Sequence, residues 1–277
     1  MSTLEQHAQA AADGNRESLE ALVLAMQDDI YNLTMRMLGD PIEAQDATQE
    51  VLIKVITHVG SFRGESSFRT WVWRIATNHV LRMRRTQLES TMNFDVLEEM
   101  IDAGGSAQSA AGGELEVQRL AEQVRLSCTQ AMLVALDRPD RIVYILSDMF
   151  GLTSDQASQV LEIDAAAFRK RLERARKRLG DFMQRKCGLV DPVAACRCVR
   201  QIPVLVDRGL LDPKRLALVD HARRPADGPT LAQAWGELSS LDAVARTMSD
   251  RPEYAAPETV LEHLRELLNS GTFQLLQ

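Results

Sequence analysis

Apolar residues near the start of the chain recur at spacings of three and four. Leu19, Leu22, Val23, Met26, Ile30, Leu33 and Met37 share one face, the period of a helix with one side buried. Gly39-Asp40-Pro41 ends that helix and begins another, with Asp40 as N-cap and Pro41 at the first helical position. In the second helix Ala44, Ala47, Val51, Leu52, Val55 and Ile56 face inward, while Asp46, Gln49, Glu50 and Lys54 project outward. Ser61 to Ser67, with Gly64 inside, reads as a loop. Ser67 or Thr70 then caps a helix through Trp71, Ile75, Val80 and Leu81 that ends in Arg82, Arg84 and Arg85. No run shows strand alternation, and there is no repeat of fixed period.

Residues 102–113 are Gly-, Ala- and Ser-rich and bury too little apolar area to order themselves, so they predict a flexible linker. Helical periodicity resumes over Leu115 to Leu136. Asp137-Arg138-Pro139 opens a further helix through Ile142, Val143, Ile145, Leu146 and Met149, stopped by Gly151. A short helix over 154–161, a tight turn at Glu162-Ile163, and Asp164 capping a long helix from Ala165 to about Arg185 follow. This is the arithmetic of a helix-turn-helix. From Cys187 the sequence turns Pro- and Cys-containing, and two or three more helices follow, from Pro203 to Gln277. The expected architecture is all-α: a helical domain over 1–95, a flexible linker over 96–124, a helix-turn-helix domain over 125–185 and a Cys-containing helical extension over 186–277.

Composition excludes several classes. With 45% hydrophobic residues in 277, wholesale disorder is ruled out. No apolar run approaches the roughly 18 residues a membrane span needs. Met1 to Gln9 lacks the basic and apolar regions of a secretory signal, and four cysteines are too few for a disulfide scaffold. A cytoplasmic protein with reduced thiols and no membrane partner is expected. The net charge of −7 conceals two basic blocks, +5 over residues 61–86 and +7 over 165–186. A phosphate backbone responds to fields within about 10 Å, so each block is a candidate nucleic-acid surface.

The two blocks differ in texture. In the 165–185 helix Phe168, Leu172, Ala175 and Leu179 form an apolar stripe and basic residues cover the rest. Early positions of a recognition helix meet base edges in the major groove and later ones meet phosphate. Arg169, Lys170 and Glu173 are therefore candidate readers, and Arg174, Arg176 and Arg178 candidate phosphate contacts; the competing reading is a solvated basic face. The 62–78 block interleaves aromatics with arginines around a small-residue loop. Aromatic faces stack on unpaired bases at about 1–3 kcal/mol each, which suits single-stranded rather than duplex nucleic acid. Asn78 offers hydrogen bonds to a base edge. Here the competing reading is core packing, which fits Trp71 best and leaves Trp73 and Phe62 exposed. No catalytic constellation emerges: the five histidines are scattered, and HExxH, GxSxG and phosphate-cradling loops are all absent.

The stretch Asp40-Pro-Ile-Glu-Ala-Gln-Asp-Ala-Thr-Gln-Glu-Val51, followed by Ser61-Phe-Arg-Gly-Glu-Ser-Ser-Phe-Arg-Thr-Trp-Val-Trp-Arg-Ile-Ala-Thr-Asn78, resembles region 2 of bacterial extracytoplasmic-function (ECF) sigma factors of the sigma-70 family. Residues 133–182, with Phe168-Arg-Lys-Arg-Leu-Glu-Arg-Ala-Arg-Lys-Arg-Leu179, resemble their region 4. The resemblance covers roughly 16–90 and 125–185, in the family's order. It implies a non-enzymatic factor that binds core RNA polymerase and directs promoter-specific transcription initiation. Asp46, Gln49, Glu50, Ile53 and Lys54 would bind polymerase. Arg36, Phe62, Arg63, Gly64, Glu65, Ser66, Ser67, Phe68, Arg69, Trp73, Asn78 and Arg82 would recognise and melt the −10 element. Ala167, Phe168, Arg169, Lys170, Arg171, Glu173, Arg174, Arg176, Lys177 and Arg178 would bind the −35 element. An anti-sigma protein, or the extension itself, would regulate the factor. Two rival readings are a helix-turn-helix regulator that works on duplex DNA without polymerase and an adaptor whose basic helices meet an acidic protein; the 62–73 loop is superfluous to the former.

The extension is the departure from the family pattern. Cys187, Cys196 and Cys198 offer three thiolates for zinc, with His221, His263 or Asp191 as a fourth ligand. They equally offer a reversible disulfide, since Lys186, Arg197 and Arg200 flank them, or simply a packed turn of reduced cysteines. No cofactor is required otherwise. Leu261, Leu264, Leu267 and Leu268 form one stripe that could dock on region 2 or region 4, and Cys128 belongs to a buried helix face.

Overall fold

The computed structural model describes residues 3–105, 113–220, 222–223, 240–250 and 252–269. Most of them are helical, and two two-residue strands, Ala222–Arg223 and Glu253–Tyr254, are the only strands among them. The chain divides into two compact units. One comprises 1–86, 152–169 and 254–277, the other 87–151 and 170–253.

The first unit is built on α1 (Thr3–Ala12), α2 (Arg16–Leu38), α3 (Pro41–His58) and α4 (Phe68–Arg82). Its caps form where local chemistry puts them. Gly39 closes α2 at φ 78°, and the Asp40 carboxylate accepts from the N–H groups of Ile42 at 2.8 Å and Glu43 at 3.1 Å. Ser67, not Thr70, caps α4, accepting from Thr70 N at 3.1 Å. Leu19, Leu22, Met26, Ile30, Leu33 and Met37 are buried, as are Ala44, Ala47, Val51, Leu52, Val55 and Ile56, and α2, α3 and α4 pack on one another through these faces. Inside the α2–α3 contact Thr34 Oγ1 lies 3.0 Å from Ala44 O and 2.9 Å from Thr48 Oγ1, so its hydroxyl is not left unpaired in the core.

The unit also holds α9 (Ser154–Leu161) and the start of α10 (Ala165–Lys186). A capping box opens α9: Gln156 N donates to Thr153 Oγ1 at 3.3 Å and Thr153 N to Gln156 Oε1 at 3.0 Å. The turn is made by Glu162 in the left-handed region, φ 54°. Asp164 then caps α10, accepting from Ala166 N at 2.7 Å and Ala167 N at 3.2 Å. The last helix, α13 (Glu258–Asn269), completes the unit against α3.

The second unit contains α5 (Gln87–Thr91), α6 (Phe94–Gly105), α7 (Glu114–Val134), α8 (Arg138–Tyr144), the remainder of α10, α11 (Cys198–Asp207) and α12 (Ser240–Ser249). Leu120 and Val124 of α7 share a cluster with Ile202, Leu211 and Leu216. A buried ion triad ties α5 to α8. Glu89 accepts from Arg138 at 2.7 and 2.5 Å and from Arg141 at 2.8 Å, while Arg141 also donates to Val134 O and Leu136 O at the end of α7.

Three expectations are corrected. The flexible linker over 96–124 has helical ends: α6 runs to Gly105 and α7 starts at Glu114, with 106–112 outside the described residues. Leu97 and Ile101 on one side of the Gly- and Ala-rich stretch, and Leu120 and Val124 on the other, are buried. The helix from Arg138 does not stay regular to Met149 but widens into a π-turn over Ile145–Met149. The first helix of the extension begins at Cys198 rather than Pro203 and carries Pro203 inside it, because packing on α7 outweighs the hydrogen bond a proline removes. The extension has three helices among the described residues. In α13 Leu264 is buried and Leu261 half-buried, and the side chains of Leu267 and Leu268 lie outside the described residues.

Candidate nucleic-acid interface

The loop between α3 and α4 forms one wall of a cleft of about 550 Å³, lined by Ser61, Phe62, Arg63, Glu65, Ser66, Trp71, Arg74 and Gln159. Gly64, at φ 71°, turns the loop where a side chain would be strained. Phe62, Phe68 and Trp71 make an aromatic triangle with centroids 5.4, 5.7 and 5.6 Å apart. Phe68 is the buried member and lies beneath the half-buried Phe62 and Trp71. Glu5 of α1 accepts the Phe68 N–H at 2.9 Å and so fixes the start of α4. Arg63 and Arg69 are exposed, and Arg69 pairs with Asp29 at 3.2 Å. An aromatic surface flanked by guanidiniums can stack an unpaired base and attract its phosphate.

Arg74, absent from the sequence-derived candidates, closes this cleft. Its guanidinium donates to Gln159 O at 3.3 Å and pairs with Glu162 at 3.5 Å, so α9 sits on α4 beside the cleft. Nothing local to Arg74 signals this, because its partners lie more than eighty residues away.

Several candidates in this region are not surface groups. Trp73 is 4% exposed and belongs to the core with Val72, Ala76 and Val80. The assignment of the two tryptophans is therefore reversed, Trp71 lining the cleft and Trp73 facing inward. Arg36 is also buried, donating to Asn32 O at 3.1 Å and Asn32 Oδ1 at 2.8 Å. Asn78 and Ser66 are half-buried, and Gly64, Glu65, Ser67 and Arg82 are exposed.

Of the candidate polymerase-binding residues on α3, Asp46 and Glu50 are exposed and Gln49, Ile53 and Lys54 half-buried. Lys54 Nζ lies 2.5 Å from His79 Nδ1, and Glu50 lies 3.6 Å from His79 Nε2. Burial, then the Lys54 charge, lowers the His79 pKa against the opposing pull of Glu50.

A segment of the extension is seated on the same helices. The Asn32 amide clasps the Tyr254 backbone, accepting its N–H at 2.9 Å and donating to its C=O at 2.8 Å. Asp28 accepts the Ala256 N–H at 2.8 Å, and Gln45 donates to Thr259 Oγ1 at 2.7 Å. Tyr254, Ala256, Val260 and Leu264 are buried. One amide thus serves both Arg36 and Tyr254.

On α10, Ala167, Arg169, Lys170 and Glu173 are exposed, Arg171 is half-buried and Phe168 is fully buried, so Phe168 supports the helix instead of meeting DNA. The later basic residues have partners. Arg174 makes a bidentate pair with Asp140 at 2.7 and 2.6 Å, and Arg176 with Asp148 at 2.8 and 2.5 Å. Lys177 pairs with Asp181 at 2.7 Å, and Arg178 lies 3.8 Å from Asp137 and 5.3 Å above the Phe94 ring. Among the described residues Arg169 and Lys170 make no ion pair. The helix is thereby divided into an uncommitted N-terminal turn and a C-terminal portion whose arginines also hold the unit together.

For the zinc reading, Asp191 turns its carboxylate to Val193 N, and His221 and the His263 side chain lie outside the described residues. No group of three or more His, Cys, Asp or Glu side chains among the described residues is placed to hold a metal ion. Nor is any described helix long and apolar enough to cross a membrane.

Two family models match along the chain in order. A family model described as Sigma-70 region 2 matches residues 22–88, and one described as Sigma-70, region 4 matches residues 126–179. The RNA polymerase sigma-H factor of Pseudomonas aeruginosa is 27% identical over 187 residues, which span 62% of this chain and 89% of that protein. The ECF RNA polymerase sigma factor SigW of Bacillus subtilis is 27% identical over 172 residues, 60% of this chain and 89% of that one. The solved structure of CnrH in complex with the cytosolic domain of CnrY aligns with a TM-score of 0.48 at 20% identity, over 66% of this chain and 98% of that chain.

Proposed function

Since the chain belongs to the sigma-70 family, in its extracytoplasmic-function branch, and is an RNA polymerase sigma factor, we propose that the work of promoter recognition divides among the surfaces just described. The carrying observation is that both family regions occur in order, one bearing an aromatic, arginine-rimmed cleft and the other a basic helix with an open first turn. The exposed face of α3, through Asp46 and Glu50, meets core polymerase. Phe62, Trp71 and Arg63 receive a base extruded from the −10 element, where stacking offsets the few kcal/mol that extrusion costs. Arg169, Lys170 and Glu173 read the −35 element. The protein catalyses nothing itself and acts in the cytoplasm, where promoter DNA is.

Run-off transcription with purified bacterial core polymerase and a genomic fragment library tests this. New defined start sites are expected only when the protein is present; their absence, with the protein folded, would sink the reading. The division of α10 makes a sharper prediction. Substituting Arg169 or Lys170 by alanine is expected to cost about 1–3 kcal/mol at the cognate −35 sequence and to relax the preference for it. The Arg174→Ala change is expected to weaken all sequences alike. Equal losses on cognate and scrambled elements for Arg169→Ala would remove it from the readers.

The Tyr254–α13 segment occupies the helices that carry Arg36 and the polymerase-facing residues, which supports a regulatory role for the extension. Cutting the chain after Arg185 is the wrong test, because it strips Ile202, Leu211 and Leu216 from the α7 cluster. Ending it after Glu253, or loosening the segment with Asp28→Ala, leaves that cluster intact. Either change is expected to raise run-off transcription per mole of factor. Unchanged or lower output would make the segment a structural brace.

A further inference from the structure

The structure adds Cys128 to the three cysteines that stand out in the sequence. The four thiols, all reduced, lie within electrostatic reach of one another in the second unit, drawn from α7, the end of α10 and the approach to α11. Two of them are held as a pair by the backbone. Cys187 and Cys196 are partners in an isolated parallel bridge, with the Gly188 N–H donating to Cys196 O at 3.2 Å. Adjacent strands lie about 4.7–4.9 Å apart, inside the roughly 4.4–6.8 Å Cα window that a disulfide requires.

The setting is stiff. Val190 and Asp191 donate to Cys187 O at 3.0 and 2.9 Å. The Arg197 guanidinium gathers Ala194 O at 2.6 Å, Cys196 O at 2.8 Å and Pro192 O at 2.8 Å. A methyl group on Gly188 would stand 2.4 Å from Cys196 O, so glycine is what lets the two segments meet.

We propose that Cys187 and Cys196 are a redox pair that closes to a disulfide under a two-electron oxidant of the peroxide class. One thiolate attacks a peroxide oxygen, and the O–O bond breaks to leave a sulfenic acid and, after protonation, one water. The second thiol displaces the sulfenic oxygen as another water. Two thiols and one hydrogen peroxide become one disulfide and two waters.

The other thiols are poorer candidates. Cys198 packs against the cluster that includes Leu120 and Ile202, and burial pushes its thiol up to about 12. Cys128 is half-buried, and burial raises its thiol well above the ordinary value. Burial raises Cys187 and Cys196 as well, but at both the Arg197 charge opposes it. The backbone at Leu189 and Val190 also opposes the rise at Cys187, and Gln201 Nε2 lies 3.7 Å from the Cys196 sulfur. Closure would lock the end of the basic helix to the entrance of the extension.

The test uses the reduced full-length protein, freed of reductant and treated with hydrogen peroxide. The free-thiol count is expected to fall from four to two, the intact mass to drop by two hydrogens, and peptide mapping to join Cys187 to Cys196, with dithiothreitol reversing all three. The Cys128→Ser variant should still close, and Cys196→Ser should not. The wild-type map stands alone should a variant fail to fold. No mass loss, a bond to Cys198 or Cys128, or one equivalent of zinc that survives desalting and shields the thiols would each overturn the proposal.

Discussion

Glu89→Ala is expected to lower the unfolding free energy of the second unit by about 3–5 kcal/mol, the loss typical when one partner of a buried ion pair is removed. Glu89 pairs with both Arg138 and Arg141, and all three side chains are at most 9% exposed. Alanine would remove the carboxylate that accepts from both guanidiniums. Arg141 also satisfies Val134 O and Leu136 O, so its displacement would loosen the end of α7. Denaturant unfolding followed by far-ultraviolet circular dichroism measures the effect. Glu89→Gln keeps the shape and an acceptor oxygen and should fall between wild type and alanine. A Glu89→Ala loss under about 1 kcal/mol would mean that water or a rearranged neighbour takes the carboxylate's place.

The second large effect separates two aromatics that the sequence treats alike. Trp73→Ala is expected to cost about 3–5 kcal/mol of stability, as removal of a buried large aromatic does. Any accompanying loss of transcription would follow the loss of folded protein. Phe62→Ala should leave the unfolding midpoint nearly unchanged, because Phe62 is half-buried at the rim of the cleft. It should instead weaken promoter opening roughly ten- to a hundredfold, the worth of one stacked base at about 1–3 kcal/mol. Permanganate footprinting of the opened strand, set beside thermal unfolding of the same samples, reads the two effects separately. A destabilised Phe62→Ala protein with normal opening would move the receptacle away from the loop.

These two cases show where sequence reasoning succeeds and stops. Residues 71 and 73 are both tryptophans in a capped amphipathic helix, and either could face inward while the apolar stripe stays intact. Packing against α2 and α3 selects Trp73. The same holds for α10, where composition marks nine basic residues but not the acids that Arg174 and Arg176 find 34 and 28 positions away. Around the Gly-Ala-Ser stretch, composition likewise says nothing of Leu97 and Val124 finding cover in the second unit.

What the sequence determined by itself is whatever rests on groups three or four residues apart. The all-α class, the caps at Asp40 and Asp164, the helix-turn-helix and the likeness to sigma regions 2 and 4 all follow from helical period and local hydrogen bonding, whose partners are adjacent in the text. Only the tertiary structure decided the Glu89 triad, spanning 49 and 52 positions, the Asn32 clasp on Tyr254 across 222, and the meeting of Cys128 with three distant thiols. Such contacts depend on which apolar faces find each other, and once burial has brought the backbones together, polar groups pair with whatever they meet there.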